Sequence, residues 1–167
     1  MDSHPDDDLV RRSYRGLVLD EVAEYEWIIR RLDQWLEGDP TNAHAFNNRA
    51  VAFLELGEVE RAREDFDRAV LLATHDFVPW ANRGRLRVEA GDVAGGIDDL
   101  TQAITIEPFA TDLIARGRAF LALGMANPAL ADFERATQLG GRVEDDLAEA
   151  RAQITAAGTR SDSPLQK

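Results

Sequence analysis

Between residues 46 and 70 the chain reads FNNRAVAFLELGEVERAREDFDRAV, and apolar residues recur there at intervals of three and four. Those intervals line one face of a helix. Gly57 divides the stretch, so it reads as helix, tight turn, helix. Large apolar residues stand at Phe46, Phe53 and Phe66, and small ones at Ala50, Ala62 and Ala69. Small residues let two helices approach, and large ones fill the space between them.

The frame returns in residues 80–104 and again in residues 113–137. The turn glycines Gly57, Gly91 and Gly124 recur at nearly constant spacing, the second interval one position shorter than the first. Asp65-Phe66, Asp99-Leu100 and Asp132-Phe133 follow at the same spacing, and so do Ala69, Ala103 and Ala136. The spacing predicts burial of Phe53, Phe66, Phe120 and Phe133 between helices, with Gly84 and Gly117 at close helix contacts.

A helical hairpin with this small/large pattern at a period of about 34 residues resembles the tetratricopeptide repeat (TPR) family. The matching positions are the aromatic at Phe46 and Trp80, the small residue at Ala50, Gly84 and Gly117, the Ala series and Pro108. The resemblance implies an all-α fold, a right-handed α-solenoid of three regular hairpins. These take residues 43–76, 77–109 and 110–142. A degenerate hairpin over residues 9–42 precedes them, and a capping helix over residues 143–157 follows. An acidic disordered tail (1–8) and a mobile tail (158–167) complete the expected organisation.

Departures from the pattern carry their own expectations. In the degenerate unit Ile28 replaces the small residue seen at Ala62, and Trp35 replaces that seen at Ala69. Trp27, Ile28, Leu32, Trp35 and Leu36 then form a broad apolar face. It either covers the first regular repeat or, at Trp27 and Trp35, meets a partner or another copy. In the second regular repeat Arg87 replaces the large residue of Phe53 and Phe120, and Gly95-Gly96 falls early in a helix. Both predict that this repeat is the softest. Asn42 and Asn127 are read as N-caps, the latter followed by Pro128.

Charge and composition narrow the function. The net charge of −12 argues against a phosphate-binding surface and so against nucleic acid. It suits a protein or peptide partner of basic or mixed charge. No apolar run reaches the length of a membrane helix, and the N-terminus lacks a signal pattern, so a cytoplasmic location is expected. There is no Cys, no GxxxxGK[ST], no strand-flanked GxGxxG and no HExxH. His4, His44 and His75 share no helix face at metal-ligand spacing. No catalytic residue, metal or cofactor is expected.

Two ladders remain. Arg49, Arg83 and Arg116 precede Asp65, Asp99 and Asp132 respectively, each by the same interval. This predicts an ion pair across each hairpin. The second ladder is Asn48 and Asn82. In the TPR resemblance the first helices of successive hairpins line a concave groove, which implies that this Asn position faces it. An amide there can both donate to and accept from a peptide backbone. Asn47, Arg85, Arg118, Glu55 and Glu89 complete the expected partner-binding set. The carboxylate clamp of some TPR domains is not matched: Asn47, Val51 and Ala115 stand at its Lys, Asn and Arg positions, and only Asn82 survives. The reading is a non-catalytic module that holds a peptide or protein segment in the groove. The alternative is an assembly or inhibitor-type subunit that docks on a larger protein or on itself through its N-terminal unit.

Overall fold

The computed structural model describes residues 21–161. The expectations for residues 1–20 and 162–167 lie outside the described residues. Within that span the chain forms eight helices and no strand. They are α1 (Glu21–Gly38), α2 (Ala43–Glu55), α3 (Val59–Leu72), α4 (Phe77–Glu89), α5 (Val93–Ile106), α6 (Ala110–Ala122), α7 (Ala126–Gln138) and α8 (Glu144–Ser161). The fold is an all-α solenoid. The helices α2/α3, α4/α5 and α6/α7 pair as hairpins, and each second helix packs on the first helix of the next.

The turns follow from single residues. Gly57, Gly91 and Gly124 have φ of 74, 90 and 72°, a left-handed backbone that glycine adopts without a Cβ penalty. Some helix starts are capped by side chains. Asn42 accepts from the Ala45 N–H at 2.9 Å and Asp92 from the Gly95 N–H at 3.0 Å. Asn127 does not cap: α7 begins at Ala126, two residues before the expected start at Pro128, behind Met125, which contributes no side-chain bond.

The interior is built at the register positions that the repeat sets. Phe53, Phe66 and Phe133 are buried, as are Ala62, Ala69, Ala103, Ala129 and Ala136. Phe120 is only half-buried, packed at the margin of the core around Phe133. A Cβ placed on Gly117 would lie 2.9 Å from Phe133 Cζ. Glycine there admits the ring.

Two glycines of the second hairpin sit at a close helix contact. Gly96 of α5 faces Gly84 of α4. A Cβ on Gly96 would lie 2.7 Å from the Gly84 carbonyl oxygen, and one on Gly84 would lie 3.1 Å from that of Gly96. The pair lets two backbones approach where the neighbouring hairpins use Ala50 with Ala62 and Gly117 with Ala129. Arg87 is also engaged. Its Nη1 sits 3.0 Å from Asp99 Oδ2.

The arginine ladder joins hairpins as well as closing them. Arg49 donates through Nε and Nη2 to Asp65, both at 2.7 Å, and its Nη1 reaches Asp33 of α1 at 2.5 Å. Arg83 grips Asp99 in the same fork and Asp67 of α3 at 2.8 Å. Arg116 grips Asp132, and its Nη1 donates to Thr101 Oγ1 of α5 at 3.0 Å. Asp33, Asp67 and Thr101 share one register of the repeat. Each guanidinium therefore fastens its own second helix and the one before. The forked geometry suits Arg and not Lys.

The two ends differ. On α1, Ile29, Leu32 and Leu36 are buried against α2, and Ile28 is half-buried. Trp35 does not enter the core; it remains 36% exposed, and Trp27 43%. At the other end Val143 and Ala150 are buried against the α6/α7 core, with Leu147 and Ile154 packed beside them. The helix α8 runs to Ser161, four residues beyond the end expected from its apolar spacing.

Candidate functional site

The first helices of successive hairpins touch directly, α2 against α4 and α4 against α6. They therefore form one surface. Residues at i, i+4, i+7 and i+11 share a stripe along a helix. On α2 that stripe is His44, Asn48, Val51 and Glu55. On α4 it is Val78, Asn82, Arg85 and Glu89, and on α6 it is Thr111, Ala115, Arg118 and Ala122. All twelve side chains are half-buried or exposed. Six of the seven expected groove residues lie on this stripe.

Asn47 is the exception. One residue step turns a helix by about 100°, so Asn47 points toward the next helix and is 3% exposed. It anchors a chain of bonds instead. Its Nδ2 donates to Asn48 Oδ1 at 3.2 Å, and its Oδ1 accepts from Asn82 Nδ2 at 2.9 Å. Arg85 Nη1 donates to Asn82 Oδ1 at 3.0 Å, and Arg85 Nη2 donates to Asp112 at the start of α6. Three helices are thus linked through their face by one polar chain.

Asp112 was not among the expected residues. It stands where the earlier hairpins carry Ala45 and Pro79, and it is 1% exposed. Burial pushes its carboxyl above the ordinary value, against the pull of Arg85. One of its oxygens is buried without a hydrogen bond. Arg118 is tied in the same way one hairpin on. It donates through Nε and Nη2 to the two oxygens of Asp146 on α8, at 2.7 and 3.0 Å. That bond, opposed by slight burial, raises the Arg118 pKa. The recurrence of an aspartate at a nearly constant interval after Arg85 and Arg118 was the available signal. Glu55 and Glu89, the last residues of α2 and α4, form no hydrogen bond or ion pair among the described residues.

Among the described residues no group of three or more His, Asp or Glu side chains could hold a metal ion. None of the described helices is long and apolar enough to cross a membrane.

A sequence model of the tetratricopeptide repeat matches residues 32–64. Tetratricopeptide repeat protein 36 of Bos taurus is 30% identical to the chain over 130 residues, 75% of this chain and 68% of that protein. The chain belongs to the tetratricopeptide repeat family. The human protein of the same name is likewise 30% identical, over 131 residues. Among solved structures, MamA (AMB-1) superposes with a TM-score of 0.73 over 89% of this TPR chain and 86% of its own, at 18% identity, a likeness of fold. The second TPR of Spaghetti (RPAP3), bound to the HSP90 peptide SRMEEVD, is 28% identical with a TM-score of 0.56. That match covers 58% of this chain and 91% of the other.

Proposed function

We propose that this TPR protein is a non-catalytic interaction module and that the stripe along α2, α4 and α6 holds a segment of a partner protein. The observation that carries the reading is the continuous, solvent-accessible stripe shared by three touching helices. The peptide-bound state of the RPAP3 domain supports it. Asn48 is the best-placed contact, because its Nδ2 donates to nothing among the described residues. Asn82 meets the ligand from a preformed network in which Arg85 is tied to Asp112. Asn47 acts behind the face by holding Asn82 in place. A preorganised face loses less freedom on binding.

A second reading rests on α1. Trp27 and Trp35, two turns apart on one helix, are both exposed. Aromatic residues are enriched at interface centres, so this face is the candidate for docking on a larger protein or a second copy.

One experiment separates the two. The full chain is used to capture partners from a lysate of the source cell, and mass spectrometry identifies them. Affinity for the captured partner is then measured with Ala122→Trp, which obstructs the stripe from an exposed position, and with Trp27→Ala. A loss of tenfold or more with Ala122→Trp alone supports the stripe. A loss with Trp27→Ala alone refutes it and favours α1.

A further inference from the structure

The charges on the first-helix face are not equal in availability. Arg85 and Arg118 look from the sequence like receptors for an acidic ligand group. Each is already held by a carboxylate from the following first helix or cap, Asp112 and Asp146. An acidic ligand drawing Arg85 away would strand the Asp112 carboxylate, which is 1% exposed. Breaking a buried pair by removing one partner is strongly unfavourable. That carboxylate also keeps a buried oxygen with no donor. The unmet need beneath the face is therefore for a hydrogen-bond donor, not for another acceptor.

Glu55 and Glu89 stand at one register, one hairpin apart, without a hydrogen bond or ion pair among the described residues. They are the uncompensated charges of the stripe, and the whole chain carries −12. We infer that the first-helix face receives a basic segment of a partner protein, with Glu55 and Glu89 each meeting a Lys or Arg side chain. This rests on the reading of that face as the binding surface and names the chemistry of its ligand. Packed helices lie about 8–10 Å apart. An extended chain advances about 3.3 Å per residue. The two cations therefore stand roughly three residues apart in an extended ligand.

The test uses random dodecapeptides displayed on phage and selected against the full chain. Selected peptides are sequenced, synthesised and titrated while the backbone amide shifts of α2, α4 and α6 are followed by NMR. The expected result is enrichment in paired Lys and Arg, with shifts concentrated on α2 and α4. Glu55→Gln with Glu89→Gln then weakens binding by about three- to tenfold, the range for two exposed ion pairs. Glu64→Gln with Asp98→Asn, two exposed acids on the second helices, leaves affinity unchanged. Acidic or neutral peptides that shift the same three helices overturn the basic ligand and leave the binding face standing. Basic peptides that leave those helices unshifted, and that weaken equally with both double variants, overturn the face itself.

Discussion

Replacing Gly96 by Ala tests whether the second hairpin is a weak point or a close contact, because the two readings differ in sign. Glycine inside a helix costs about 1 kcal/mol relative to alanine. If Gly96 were only a flexible site, Gly96→Ala would stabilise by about that amount. The geometry opposes this. The new Cβ would lie 2.7 Å from the Gly84 carbonyl oxygen and 3.0 Å from the Val88 amide nitrogen. Both are backbone atoms of α4, and they cannot swing aside as a side chain can. Overpacking costs about 1–3 kcal/mol, and a backbone obstacle belongs in the upper part of that range. Setting about 2–3 kcal/mol against a gain of about 1 leaves a net loss of about 1–2 kcal/mol. Gly95→Ala is the internal control. The atoms nearest its Cβ would all belong to the Asp92 carboxylate, a flexible group that caps the same helix. Loss of that cap, about 1 kcal/mol, offsets the propensity gain, so a change near zero is expected. Urea denaturation followed by circular dichroism reads both midpoints, with the slope checked for constancy. A rise in the Gly96→Ala midpoint equal to that expected from propensity would refute the close-contact argument.

The arginine ladder predicts an ordering. Arg116→Ala leaves Asp132 nearly buried with no other cation paired to it among the described residues, whereas Arg83→Ala leaves Asp99 with Arg87 at 3.0 Å. Denaturation should show a loss of about 2–4 kcal/mol for Arg116→Ala and a smaller one for Arg83→Ala; equal losses would remove Arg87 from the account. Asp112 predicts a pH dependence. Burial raises its native pKa from 3.8, so the folded state holds this proton more tightly than the unfolded chain does. Its favourable contribution is fully present below 3.8 and is lost as the pH rises through the native value. The stability of wild type minus that of Asp112→Asn should therefore fall between pH 4 and pH 7, measured by chemical denaturation at each. A difference that rises with pH would show that pairing with Arg85 outweighs burial.

The hairpins were legible in the sequence because their causes are local and recur. A turn glycine with positive φ, an apolar interval of three or four, and an arginine at a fixed interval before its aspartate are all set within a single unit. Three copies showed each of them at once. Asn48, Asn82, Arg85 and Arg118 could be placed on one face because periodicity set their register and the TPR resemblance implied that the first helices lie side by side. What crosses from one hairpin to the next left little trace beyond the aspartates that follow Arg85 and Arg118. The second grip of each ladder arginine, on Asp33, Asp67 or Thr101, depends on how closely neighbouring units stack. So does the capture of Arg85 by Asp112 and of Arg118 by Asp146, which turns two apparent ligand contacts into structural pairs. Asn47 differs from Asn48 only by the rotation of one residue step, yet the neighbouring helix decides that one is buried and the other is not. Gly96 shows the same division. Propensity, a property of the residue, made it a weakness; the distance to Gly84, a property of two packed helices, makes it the point where their backbones meet.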